Sequence, residues 1–339
     1  MENLKHIILF FILILITSAA TLSAQPGMSK INSSAGAFSR FGFGPRGIAM
    51  GNSLSAVKEG NLVSYYNPAV SVFQNDNSFQ SGYSFLSLDR KLNFVSFTRR
   101  FDFYSAKDSA LENRKPRSSA GLSIGLINSG VVNIDERDNQ GFKKGSLSTS
   151  ENQFYLSVSI KFSDKIAAGF SSKFYYYKLY QDITSTGLGF DLGVLYSYSK
   201  NMTFSFVLSD LNSKYKWDSS PLYNIDGSLT ENKFPTGKKI GLSYKYDEYE
   251  LLTTTEIYFD NYGTKIVRFG AEYNPMSDLF FRAGFDNFQL NNGNEYVKPS
   301  FGFGYAKNIS NITVGFDYAF MLEPYSLQDR HIIGVHVNF

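Results

Sequence analysis

The feature that most limits how this chain can fold is a two-residue alternation sustained over long runs. Phe154, Leu156, Val158, Ile160 and Phe162 alternate with Tyr155, Ser157, Ser159 and Lys161. The same pattern recurs in Leu188, Phe190, Leu192, Val194, Tyr196 and Tyr198, and again in Ile312, Val314, Phe316, Tyr318 and Phe320. Successive side chains of a strand point to opposite faces, so one set enters an apolar environment and the other a polar one. Fourteen segments of this kind begin near Ser78, Lys91, Ser118, Asn152, Ile166, Gly187, Met202, Lys238, Tyr249, Lys265, Asp278, Pro299, Ile312 and His331. Several exceed the roughly 5–6 residues of an ordinary globular strand. The pattern predicts an all-β fold, a transmembrane antiparallel β-barrel of about 14 strands over residues 78–339.

The connections fit that reading. Segments 163–165, 199–201, 274–277 and 307–310 are tight turns of Asp, Asn, Ser, Lys or Pro, residues that favour turn geometry. Segments 129–150, 209–236, 287–298 and 321–330 read as longer loops, which gives the short-turn, long-loop asymmetry of such barrels. Segment 104–117 is long where a short turn is due, and the alternation offers no reason for it.

Residues 1–24 read as a signal peptide. Lys5 and His6 precede the apolar run Ile7–Ile16, and small and polar residues follow to Ala24. The run is shorter than the roughly 18 apolar residues of a membrane helix, and no later segment supplies them. Cleavage after Ala24 leaves Gln25 first; Ala20 is the alternative site. Residues 25–77 lack long alternation and carry Gly36, Gly42, Gly44, Gly47 and Gly51. A segment of this size buries little core by itself. It reads as a hatch, or plug, inside the barrel, with Pro45 opening a short helix and Met50, Leu54 and Val57 forming its apolar stripe.

If the apolar set faces lipid, parity turns Lys173, Asp191, Lys239, Glu256, Arg268, Glu272, Arg282, Asp286 and Asp317 into the lumen, together with Gly169, Gly193, Gly270, Gly284 and Gly302. Glycine on a strand marks close approach of another backbone. Mixed charge beside glycine suits a barrel filled by its own chain better than an open pore. Arg46 and Asn67 are the candidates for fixing the hatch. A guanidinium pairs lumen carboxylates such as Asp191, and an amide satisfies turn backbone groups. Phe280 and Ile266 are apolar residues on this otherwise polar face.

Chemistry is sparse. The chain has no cysteine, which excludes disulfides, thiol nucleophiles and Cys-ligated metals. A net charge of +3, dispersed along the chain, gives no nucleic-acid footprint. His331 and His336 fall on opposite faces of one strand and make no metal pair. No enzyme activity and no cofactor is expected. Tyr, Phe and Trp make up 17% of residues, and Tyr175, Tyr176, Tyr177 and Tyr180 read as part of an interfacial aromatic girdle.

The run Gly42-Phe-Gly-Pro-Arg-Gly-Ile-Ala-Met-Gly51, followed by Tyr65-Tyr-Asn67-Pro68-Ala69, resembles the N-terminal signature of the PorV/PorQ family, barrels related to the FadL/TodX channels. The likeness continues through Gly189-Phe-Asp-Leu-Gly193, Phe234-Pro-Thr-Gly237, Gly270-Ala-Glu-Tyr273, Arg282-Ala-Gly284, Asp317-Tyr-Ala319 and the terminal strand ending in Phe339. The chain departs from it at Lys58-Glu59-Gly60 and at Val70-Ser71. The resemblance implies a bacterial outer-membrane barrel with a hatch and contacts with outer-membrane lipid. It implies a part in type IX secretion, with secretion-system subunits or secreted cargo as partners. The alternative is a FadL-like passive channel for hydrophobic small molecules, or a structural barrel with neither role.

Overall fold

The computed structural model describes residues 34–104, 116–180, 183–220, 227, 229–290, 297–324 and 326–339. The signal segment, residues 1–24, lies outside them, as does most of 104–117. Sixteen strands are described: β1 (Ser78–Phe85), β2 (Lys91–Phe103), β3 (Ser118–Arg137), β4 (Lys143–Lys161), β5 (Ile166–Tyr180), β6 (Ile183–Ser197), β7 (Met202–Leu211) and β8 (Lys214–Asp218). They continue with β9 (Leu229–Lys233), β10 (Gly237–Tyr246), β11 (Leu251–Asp260), β12 (Lys265–Met276), β13 (Leu279–Gln289), β14 (Lys298–Ile309), β15 (Ile312–Met321) and β16 (Arg330–Asn338).

Fourteen of these close an antiparallel barrel, each beside its sequence neighbour except that β7 pairs β10. The interposed β8 and β9 form their own hairpin. Closure is made by β1 on β16, in register from Ser78 opposite Asn338 to Phe85 opposite His331. Closing the sheet leaves no unpaired edge, which a strand in hydrocarbon requires.

The alternation works as the sequence implies. Phe154, Leu156, Val158 and Ile160 are 46%, 50%, 46% and 50% exposed, whereas the intervening Tyr155, Ser157 and Ser159 are 4%, 0% and 1% exposed. A water-soluble sandwich would bury the first set. An apolar outer face around a polar inner one is the surface of a membrane-spanning barrel in contact with lipid.

Two expected loops contain strand instead: 209–236 holds β8 and β9, and 129–150 belongs largely to β3 and β4. Residues 129–150 extend β3 and β4 to 20 and 19 residues, about twice the 9–11 that cross a bilayer. The hairpin projects beyond the membrane and bends at a register shift between Val131 and Ile134, where Asn133 has a φ of 60°. Outside the membrane both faces meet water, so the alternation fades.

The segment before β1 packs on the inner wall. A short helix, α1 (Gly44–Ala49), lies against β13, β14, β15, β16 and β1. It ends earlier than the sequence stripe implies: Met50 caps it, and Leu54 and Val57 lie in turns beyond, although all three are buried. Gly51 stops the helix with a φ of 60°, where a Cβ would lie 2.5 Å from the carbonyl oxygens of Phe269 and Phe285. A second turn, Pro68–Phe73, lies on the opposite wall against β2 to β6. The segment therefore spans the lumen from wall to wall.

Candidate functional site in the lumen

Three ionic clusters line the lumen, and two of them join the inner segment to the wall. In the first, Arg46 of α1 donates from Nε and Nη2 to Oε2 and Oε1 of Glu272 at 2.8 and 2.7 Å. Its Nη1 donates to the carbonyls of Glu59 and Asn61 at 2.8 and 3.2 Å, which closes the 59–61 turn over it. Glu272 also accepts from Arg282 at 2.6 Å, and Arg282 donates to Asp317 at 2.5 Å. Asp317 in turn pairs His336 Nδ1 at 2.8 Å. Each acid sits between two cationic or hydrogen-bonding groups, the condition under which buried charge is tolerated.

In the second cluster Arg268 reaches Glu256 and Asp286, both at 2.7 Å, and Asp286 accepts from Asn52 of the inner segment at 2.8 Å. In the third, Lys173 lies 2.7 Å from Asp191 and 3.1 Å from Asp210, and Tyr175 donates to Asp210 at 2.6 Å.

Arg46 therefore pairs Glu272 and not Asp191. The reason is position: α1 leans on β13–β16, while the wall at Asp191 on β6 is occupied by the Asn67–Pro68 turn. Asn67 accepts the Ala69 N–H at 2.9 Å and donates to the Ser55 carbonyl at 2.8 Å. Pro68 passes so close to β5 and β6 that a Cβ on Gly169 would lie 2.5 Å from the Pro68 oxygen and one on Gly193 2.9 Å from its Cδ. Of the other candidates, Glu272, Arg282 and Asp317 share one cluster and Asp191 belongs to another. Asp210, Asn52 and His336, which complete these clusters, carry no local sequence signal beyond parity.

The tyrosine girdle needs correction. Tyr176 faces outward, but Tyr175 is fully buried inside the barrel. Its ring lies 4.8 Å from that of Phe234, and Phe234 lies 4.9 Å from Tyr215 of β8. Tyr177 adds contacts to Tyr215 and Trp217 at 5.3 and 5.2 Å. The β8–β9 hairpin thus folds its aromatic face over the mouth of the barrel. Lys216 N–H anchors it on Ser185 Oγ at 2.8 Å. Between the inner segment and the wall lie two small cavities that share Arg40 and Arg268, one lined also by Tyr65, Lys239 and Tyr258, the other by Phe41, Ile266 and Arg330. Burial pushes the Tyr65 hydroxyl up to about 12, so it stays neutral and donates to the Ser39 carbonyl at 2.8 Å. Phe280 lies under Arg282, 5.4 Å from its guanidinium carbon, away from these cavities.

No protein-family model matches the chain, and no curated protein matches it. Solved structures do. The chain is similar to the Ralstonia pickettii toluene transporter TbuX, at 14% identity and a TM-score of 0.58, over 88% of this chain and 98% of that one. It is similar to the CymD monoaromatic hydrocarbon channel at 14% identity and a TM-score of 0.60, with coverages of 88% and 98%. A Pseudomonas aeruginosa FadL homologue follows at 9% identity and a TM-score of 0.52, with coverages of 87% and 98%. The chain has the FadL/TodX barrel fold. Two of these names, a toluene transporter and a monoaromatic hydrocarbon channel, speak of hydrocarbon passage, and none of the three lends anything to the PorV/PorQ assignment or to a role in secretion.

Proposed function

We propose that this chain is a bacterial outer-membrane channel for small hydrophobic molecules, with residues 34–77 as its hatch. The observation that carries the reading is the inward aromatic layer of Tyr175, Tyr215, Phe234, Tyr177 and Trp217. A lumen built only for water or ions has no use for five large rings gathered at its mouth, because apolar surface there is stabilised only by burial. A planar hydrocarbon inserting between them exchanges ring–ring contacts for similar ones and leaves water. The hydrocarbon-transport names of barrels with this fold support the same reading.

The hatch closes the lumen below this layer, so passage requires the 50–67 stretch to shift between the two anchored walls. The Arg46–Glu272 and Asn52–Asp286 contacts set the closed position.

The chain contains one tryptophan, Trp217, within the aromatic layer. Titrating the purified barrel with toluene should change Trp217 emission saturably, and cells carrying the chain should take up labelled toluene faster than cells without it. An emission that stays flat, with uptake equal in both strains, would overturn the proposal.

A further inference from the structure

The outward side chains of β2 to β5 change character in three registered rows. Their strand neighbours Leu92, Phe94, Ile127, Ser129, Gln153 and Tyr175 are buried inside the barrel, which puts the rows on the lipid side. The first row, Val95, Leu126, Phe154 and Phe174, is wholly apolar. Two residues nearer the mouth, the second reads Asn93, Asn128, Asn152 and Tyr176. The third, two residues further, reads Lys91, Gly130, Ser150 and Lys178. No acid stands on any of the three. The apolar outer set along β4 runs from Phe162 back to Phe154, about the 9–11 residues that cross a bilayer, so Asn152 stands at the edge of the hydrocarbon.

The amides form a ladder across three strands. Asn93 Nδ2 donates to Asn128 Oδ1 at 3.2 Å, and Asn128 Nδ2 to Asn152 Oδ1 at 2.7 Å. Asn152 Nδ2 donates to Ser150 Oγ at 3.0 Å and to the Tyr176 carbonyl at 3.4 Å. A carboxamide oxygen has two lone pairs. The ladder uses one on Asn128 and one on Asn152, which leaves acceptors for a further donor. Elsewhere the rim carries lysines without amides: Lys238 and Lys265 flank Phe259, above Ile240, Ile257 and Val267.

We infer that the outer face of β2 to β5 binds the headgroup of a phosphorylated glycolipid of the surrounding leaflet. The acyl chains lie on the apolar row, the sugar hydroxyls meet the amide ladder, and the phosphates pair Lys91 and Lys178. Three strand spacings of roughly 4.8 Å separate the two lysine backbones, a span that a disaccharide with a phosphate at each end covers. The small side chains of the third row between them leave that span open. A lipid with one phosphate and no sugar meets a single lysine and leaves the amides unused. This goes beyond the proposed passage of hydrophobic molecules, and it holds whether or not the barrel transports anything.

The test is native mass spectrometry of the purified barrel in detergent, titrated with bisphosphoryl lipid A and, separately, with phosphatidylglycerol. Lipid A should add once per barrel and saturate, with phosphatidylglycerol at least about tenfold weaker. Each basic residue at a membrane surface is worth about fivefold, so Lys91→Gln with Lys178→Gln should weaken lipid A by about tenfold or more. Lys238→Gln with Lys265→Gln should leave it within about twofold. Asn128→Leu keeps both lysines and breaks the ladder at its centre; it should weaken lipid A by about threefold, as expected for a lost hydrogen bond, and leave phosphatidylglycerol unchanged. Retained heat-modifiable migration shows that the variants are folded. Absence of a saturable adduct, or phosphatidylglycerol binding equal to lipid A, would overturn the site. Equal losses from the two lysine pairs would overturn it too, by showing a rim that is merely charged. An unchanged Asn128→Leu would overturn its sugar-binding half. Adduct formation involves no transport step, so none of these failures touches the channel proposal.

Discussion

Arg46 and Glu272 meet head-on across the boundary between inner segment and wall, two parallel hydrogen bonds joining guanidinium to carboxylate at 2.8 and 2.7 Å. The pair is nearly dry, each side chain being 10% exposed. Because Glu272 is also bound by Arg282, removing Arg46 leaves the carboxylate half-compensated rather than bare.

Arg46→Ala should destabilise seating of the hatch by about 3 kcal/mol, the lower end for breaking a buried pair. The measurement is protease accessibility of the 58–61 turn in the folded barrel. Adding Glu272→Gln should cost less than the sum of the two single changes, because they share one interaction. Unchanged accessibility in Arg46→Ala would show that the hatch is held elsewhere.

Gly169 sits where the Pro68–Ala69 backbone crosses β5, so a side chain there meets main chain that has no room to yield. Gly169→Val should lift the Pro68–Phe73 turn while leaving the barrel closed. Cleavage near residue 74 in protein that keeps its heat-modifiable migration is the expected result. Resistance equal to the parent chain would mean that the turn is not pressed against the wall.

The outer row predicts a contrast on one strand. Leu156→Arg places a cation in hydrocarbon and should cost about 2–4 kcal/mol in folding into vesicles, the range for a charge near mid-bilayer. Ser157→Ala, one residue along and facing inward, should cost under about 1.5 kcal/mol for its single hydrogen bond to Ser171. Denaturant titration of vesicle-inserted protein reads both, and equal costs would contradict the assignment of faces.

How much of this was legible in the sequence depends on what fixes each feature. Alternation fixes a face, so Lys173, Asp191, Glu272, Arg282 and Asp317 were placed in the lumen from parity alone. Partnership is another matter. Whether Arg46 finds Asp191 or Glu272 depends on which wall α1 leans against, and that is set by glycine cradles at Gly270, Gly284 and Gly302 acting together. Residues 129–150 lost their pattern because both strand faces emerge into water. Tyr175 and Tyr177 lay in a run with rings on both faces, where an alternation test cannot tell an outer girdle from an inner layer.

The most direct test of the channel uses the absence of cysteine. Ser55 of the 50–67 stretch and Ser205 on β7 have hydroxyls 3.0 Å apart, within reach of a disulfide between replacement cysteines. In cells carrying Ser55→Cys with Ser205→Cys, toluene uptake should fall under oxidant to the level of cells lacking the chain, and return on reduction. Uptake that stays at the parental rate while the crosslink is complete would contradict passage through a lumen gated by this hatch.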